Sequence, residues 1–299
     1  MRRATTLLLA LLCLVSGACA TLTGTGSRET AAPSPATAIA LSVLSDAVYL
    51  IDPATGSRAE VVGDLFDFRS GYATWAPGHH RLAYANRSIY LIDFVKNERS
   101  VIAPGRGLSM PTWGPRADEM VYGDGASMWR VGVTPIVAAR LRVPATLAPL
   151  GMDWGNNGLI AFQGLVRDCG RSHKCRSTDR SEIWVLDPNG RVLTQITRVG
   201  HAEGPKWSPD GTRILFIRRL DHTTARRELW VVNADGTGLR RLSDAQNVVA
   251  ADWAPDGFRI SMVRASPDRT LQVWTVGVGR SNARPLGEPV PGVEASLDW

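Results

Sequence analysis

Histidine and cysteine are scarce in this 299-residue chain: five His, and four Cys. The histidines, His79, His80, His173, His201 and His222, are scattered over different repeats. There is no G-x-S-x-G, so no hydrolase nucleophile elbow. There is no H-E-x-x-H, no P-loop, and no G-x-G-x-x-G in a strand–helix setting. Linear catalytic signatures are therefore missing, and the expectation is a non-enzyme without cofactor or metal. Long apolar runs are missing too. The longest, over 7–15, is too short to span a bilayer as a mature helix. The other apolar runs are short and bounded by Gly, Pro, Asp or Asn, which argues against a helix bundle. The formal charge of +6 forms no basic stripe interleaved with aromatics, so nucleic acid is not an expected partner.

What is present begins with a leader. Arg2 and Arg3 form a charged end, 7–15 an apolar core, and Ser16, Gly17 and Ala18 a small-residue cleavage region, so 1–19 reads as an export signal. Two cleavage readings stand side by side. Gly17-Ala18-Cys19 fits a bacterial lipoprotein with a lipid on Cys19, although Ser16 stands where Leu is usual. The alternative is Ala18-Cys19-Ala20 as a plain A-x-A site that would release a secreted or periplasmic protein. A lipid would hold the protein on the extracytoplasmic side of a membrane. Residues 20–38, rich in Thr, Ala, Ser and Pro, have little to bury and read as a flexible spacer. Removing Arg2 and Arg3 leaves 32 basic against 28 acidic residues.

The ten tryptophans are ordered by a repeat, which takes precedence over any local reading. Six share one setting: Trp75 (TWAPG), Trp113 (TWGPR), Trp154 (DWGNN), Trp207 (KWSPDG), Trp253 (DWAPDG) and Trp299 (LDW), spaced by 38, 41, 53, 46 and 46 residues. The other four, Trp129, Trp184, Trp230 and Trp274, share a second setting with Tyr49 and Tyr90. Between them lies a third register, Tyr84, Tyr122, Phe162, Phe216 and Met262, each ending a short alternating run such as RLAY or RILF. Alternation with a period of two marks a half-buried strand. The x-P-D-G runs at 208–211 and 254–257 supply turn chemistry: Pro presets φ, Asp bonds turn amides, Gly accepts positive φ. Each repeat thus reads as four strands, and four-stranded units of this length signify a propeller blade.

Closure follows from the ends. The chain stops after one more first strand, VEASLDW. The second, third and fourth strands that match it stand at the other end, at 40–45, 47–52 and 59–62. The expected fold is all-β: a six-bladed propeller of four-stranded antiparallel blades over 39–299, closed by the C-terminal strand joining the N-terminal blade.

The runs KWSPDGTRILFIRR and ELWVVNADGTGLRRLS resemble the repeat of TolB-type propellers, which are WD40-like in outline but carry W-S-P-D-G. The resemblance covers 39–299 and is strongest in the repeats opened by Trp207 and Trp253. Gly78-His79, Arg116-Ala117 and Asn156-Asn157 replace Asp-Gly in three others. The resemblance implies the six-bladed fold. The α/β domain that precedes the propeller in TolB itself has no counterpart in the spacer, which weakens any transfer of TolB's partners.

Other features bear on function. Cys169 and Cys175 lie in an insertion that accounts for the spacing of 53; a disulfide is expected in an exported protein. A metal site that includes His173, or free thiols, are the alternatives. The long connections of this repeat and the next should emerge on one face. They gather a candidate docking patch for an acidic partner: Arg167, Arg171, Lys174, Arg176, Arg180, Arg218, Arg219, Arg226 and Arg227. Asp153, Asp252 and Asp298, each preceding a first-register Trp, either bond backbone at a blade edge or bind a cation. The expected role is a monomeric protein-binding scaffold at the cell envelope, with an envelope protein as partner. The alternatives are a small-ligand or glycan binder at the central channel, or a metal-dependent hydrolase or lyase at the channel mouth.

Overall fold

The computed structural model describes residues 33–44, 46–63, 65, 71–105, 109–169, 175–189, 193–220, 226–243, 247–279 and 282–299. They form six four-stranded antiparallel sheets, and no helix occurs among them. Blade 1 joins the two ends of the chain: β24 (Ala295–Asp298), β1 (Ile39–Val43), β2 (Ala47–Ile51) and β3 (Arg58–Val62), in that order from the axis outward. Blade 2 holds β4 (Gly71–Trp75), β5 (Arg81–Asn86), β6 (Ser88–Asp93) and β7 (Glu98–Ala103). Blade 3 holds β8 (Ser109–Trp113), β9 (Glu119–Gly123), β10 (Met128–Gly132) and β11 (Ala138–Arg140). Blade 4 holds β12 (Leu147–Trp154), β13 (Ile160–Cys169), β14 (Cys175–Leu186) and β15 (Leu193–Gln195). Blade 5 holds β16 (Ala202–Trp207), β17 (Arg213–Arg219), β18 (Arg227–Asn233) and β19 (Arg240–Ser243). Blade 6 holds β20 (Val248–Trp253), β21 (Arg259–Ala265), β22 (Thr270–Gly277) and β23 (Arg284–Pro291).

The three aromatic registers explain how these sheets stack. In every blade the third-register residue lies directly across from the second-register one: Tyr84↔Tyr90, Tyr122↔Trp129, Phe162↔Trp184, Phe216↔Trp230, Met262↔Trp274, and Leu41↔Tyr49 in blade 1. Directly opposed large side chains are a unit of sheet stability. The inner members are fully buried, Tyr84, Phe162, Phe216 and Met262 at 0% exposure, and sit in the hydrophobic clusters between blades. The first-register tryptophans pack into the same clusters. Three of them are covered by an arginine that opens the second strand of the preceding blade: Arg81 lies 5.0 Å from the Trp113 ring, Arg213 4.8 Å from Trp253, and Arg259 5.2 Å from Trp299. Such cation–π contacts add to apolar burial rather than replacing it.

The two faces of the ring differ. One, the turn face, carries the first-to-second and third-to-fourth strand connections, which bond to each other, as in Phe94 N–H to His80 O, Val133 N–H to Asp118 O and Ala234 N–H to Thr212 O. Gly211 shows why the W-S-P-D-G turn ends in glycine: its φ is +67°, and a Cβ there would lie 2.8 Å from Cβ of Asn157 in the neighbouring blade. The opposite side, the loop face, carries the second-to-third strand connections and the crossings between blades. There the described part of the blade 4 insertion lengthens β13 and β14 to 10 and 12 residues.

Candidate functional site

The axis is lined by first strands, and the residue before each first-register Trp forms a ring of six: Thr74, Thr112, Asp153, Lys206, Asp252 and Asp298. Most of these side chains key one blade to the next. Asp298 Oδ2 accepts from Trp75 N–H at 2.8 Å, Asp153 Oδ2 from Trp207 N–H at 2.7 Å, and Asp252 Oδ2 from Trp299 N–H at 3.1 Å. Lysine cannot accept, so the amide of Trp253, which follows the Lys206 blade, is capped by its own neighbour Asp252 Oδ1 at 2.7 Å. The Lys206 ammonium turns inward instead. It lies 2.6 Å from Asp298 Oδ1, 3.1 Å from Asp252 Oδ2 and 3.9 Å from Asp153 Oδ1.

These four charges are nearly dry, with side-chain exposures between 11% and 18%. Burial opposes ionisation of the carboxylates, and three acids share one base. Burial is the main cause that holds Asp153 above the usual carboxylate range. Asp252 is pushed up to about 7, first by burial and then by its acidic neighbours, against the pull of Lys206. Lys206 is raised well above its ordinary value: the three carboxylates outweigh burial, which alone would lower it.

This charged waist separates two cavities. On the turn face a recess of about 410 Å³ is lined by all six first-register tryptophans, by Pro77, Pro115, Pro209 and Pro255, and by the three aspartates at its floor. His79 stacks on Trp75 at its edge, with centroids 5.1 Å apart, and burial lowers the imidazole pKa. On the loop face a second cavity of about 210 Å³ reaches down to Lys206. Its walls are opened by β-bulges in β4, β8, β12, β16 and β20, which re-aim the first strands. Tyr72 lines it, and burial with the nearby Glu294 carboxylate pushes its phenol up to about 12. At its mouth Arg227 makes two bonds to Glu294, at 2.9 and 3.2 Å, and Arg219 pairs with Glu203 at 3.2 Å.

The residues singled out in the sequence are distributed as follows. Of the docking patch, Arg180 and Arg226 are exposed on the loop face. Arg167 donates to Gly125 O, Arg218 donates to Val199 O and covers Trp230, and Arg219 and Arg227 form the ion pairs just described. Four of the nine are thus engaged within the chain. Arg171, Lys174 and His173 lie outside the described residues, as does the Arg176 side chain. The backbones of Cys169 and Cys175 face each other as the last pair of the β13–β14 ladder, and their side chains also lie outside the described residues. Cys19 and the leader do as well. Among the described histidines, His79 alone lines either cavity. Lys206 was not anticipated. The signal was available: it occupies the register position of the three aspartates, so a base in that slot must meet them at the axis.

No protein-family model and no curated protein matches this chain. Among solved structures it is similar to TolB from Acinetobacter baumannii, with a TM-score of 0.69 at 14% identity over 89% of this chain and 68% of that one. It is similar to a putative TolB from Agrobacterium tumefaciens, with a TM-score of 0.61 at 16% identity over 86% and 91%. It is also similar to oligogalacturonate lyase from Vibrio parahaemolyticus, with a TM-score of 0.54 at 11% identity over 81% and 71%. At these identities the likeness is one of fold. The chain has the six-bladed propeller fold of the TolB-type structures.

Proposed function

We propose that this chain is an exported, non-catalytic propeller that works as a monomeric protein-binding scaffold at the bacterial cell envelope, held to a membrane through a lipid on Cys19. The observation that carries the reading is the loop face. There β13 and β14 run to 10 and 12 residues, longer than the matching strands of the other blades, and Arg180 and Arg226 stand exposed. A rigid ring that projects one long hairpin suits recognition of a macromolecule. The channel chemistry supports the non-catalytic part. A metal-dependent lyase would need carboxylates free for a metal, whereas the three aspartates at the waist already surround a cation of the chain itself, Lys206.

The test is crosslinking and capture from intact envelopes, with the full chain expressed from its own leader. The expected result is a reproducible protein partner that is lost when 165–182 is replaced by a short turn. Capture unchanged by that replacement would overturn the assignment to the loop face, and no partner at all would overturn the scaffold. A second reading, a small-ligand or glycan binder, is favoured by the two blind cavities of about 210 and 410 Å³. A glycan that raises the melting temperature of the wild type, and does so less for Tyr72→Phe, would establish it.

A further inference from the structure

The chain meets the ring on the turn face. Ala38, fully buried, leads into β1, whose first residues pair with the end of β24: Ala40 lies opposite Asp298. Ahead of it a turn at 34–38 is closed by Thr37 N–H and Ala38 N–H to Ser34 O. The Pro35 backbone approaches His79, the residue stacked on Trp75 at the edge of the turn-face recess. Pro33, the first described residue, therefore lies on the turn face.

The same face carries most of the exposed large apolar side chains among the described residues. Val95, Ile136, Val137, Leu239 and Phe258, with exposures of 71%, 54%, 64%, 41% and 77%, all stand in turn-face connections of blades 2, 3, 5 and 6. The remaining two are Val101 on the outer strand β7 and Val293 on the loop face. Singly exposed apolar residues are ordinary; their collection on the face where Pro33 lies is what calls for a partner. The turns of this face carry Asp93, Asp187, Asp235 and Asp256, each with a carboxylate oxygen that accepts from its own turn amides.

We propose that the turn face lies against a phospholipid bilayer, with these five side chains touching its interface, and that the β13–β14 hairpin points away from the membrane. This rests on the lipidated-Cys19 reading above. Chain length supports it. Thirteen residues separate Cys19 from Pro33. Fully extended, that stretch spans at most about 50 Å. To put the loop face against the membrane, it would have to pass outward beneath β2 and β3, about 10 Å at strand spacing, and then climb the height of blade 4. The 12-residue β14 alone is about 40 Å long. That route consumes the whole contour length, whereas the turn-face orientation needs almost none of it.

The test uses the full chain, lipidated through its own leader and reconstituted into phosphatidylethanolamine–phosphatidylglycerol vesicles. In a Cys169→Ser, Cys175→Ser background, Phe258→Cys reports the turn face and Arg226→Cys the loop face through their rates of reaction with a polymer maleimide. Flotation reports anchoring, and a Cys19→Ala chain free in solution gives the reference ratio of rates. The expected result is co-flotation with Phe258→Cys slowed at least about fivefold relative to Arg226→Cys, as burial in a lipid interface requires. Co-flotation with an unchanged ratio would overturn the orientation while leaving the tether standing. Failure to co-float would overturn the tether and the orientation with it. Hydrogen exchange of the unsubstituted cysteine-containing chain on the same vesicles gives the second measurement. Amides of 94–97 and 234–239 are expected to be protected relative to 266–269, and equal exchange would count against the proposal.

Discussion

Lys206 stands in a slot that three other blades fill with aspartate, and this one residue sets the electrostatics of the axis. A buried base ringed by acids is costly to break: removing one partner of a buried ion pair leaves uncompensated charge and typically costs about 3–5 kcal/mol. Lys206→Met is expected to destabilise the fold by about that amount in urea unfolding, and less at pH 5 than at pH 8, because the stranded aspartates can take protons at the lower pH. The wild type should carry a pH dependence of its own. The folded-state pKa of Asp252 is raised to about 7 among Lys206, Asp153 and Asp298, so between pH 4 and 7 the folded chain binds more protons than the unfolded one. This contribution is full at low pH and is lost as pH rises through 7. His79 opposes it, since its lowered pKa favours the folded state as pH rises towards 6.5. The contrast is therefore with Asp252→Asn: the melting temperature of the variant should fall less than that of the wild type between pH 5 and 8, and parallel curves would show that Asp252 does not titrate in that window.

At the scale of the element, the first-register Trp and the turn that follows it form one unit, and their departures from the repeat have local reasons. Where blade 4 has Asn156-Asn157 in place of Asp-Gly, the two amides reach the next blade, donating to Pro209 O at 3.2 Å and Gly211 O at 2.9 Å. Where blade 2 has Gly78-His79, the imidazole stacks on Trp75. Gly211→Ala should cost about 1–3 kcal/mol in chemical unfolding, from an unfavourable φ together with the clash against Asn157. Gly158→Ala, at φ +79° with nothing near its Cβ, should cost less, and the difference between the two measures the contact alone. The blades were legible in the sequence because the two registers that hold the tryptophans each recur six times and period-two alternation fixes which side is buried. The charged waist was less legible. Periodicity put Asp153, Asp252 and Asp298 in equivalent slots, but that Lys206 would turn inward follows only once the slots meet at an axis. The loop-face arginines were legible as charge and not as surface: counting them could not reveal that Arg219 and Arg227 are spent on Glu203 and Glu294.

At the scale of the whole molecule, stability depends on a single join. Blade 1 is complete only because β24, from one end of the chain, pairs with β1 from the other through Ala40↔Asp298, Leu41↔Leu297, Ser42↔Ser296 and Val43↔Ala295. The join carries more than its own ladder. Asp298 holds both Lys206 and the Trp75 amide, Glu294 holds Arg227, and Trp299 packs with Arg259 over its ring. Deleting 293–299 therefore removes the inner strand of one blade, two acidic partners of buried cations and a Trp at once. Losing a packed Trp side chain alone typically costs about 3–5 kcal/mol. In a domain of this size each kcal/mol moves the melting temperature by roughly 2–4 °C, so the fall should be at least about 10 °C. Trp299→Ala, which keeps the ladder and Asp298, should fall by less. If the ring closes the domain, the deletion should also cost cooperativity, with blades 1 and 6 exchanging amide hydrogens ahead of blades 3 and 4, because opening a ring leaves its two free ends as the least supported sheets. An unchanged melting temperature would mean that β24 is a passenger and that five blades with an incomplete sixth are stable without it.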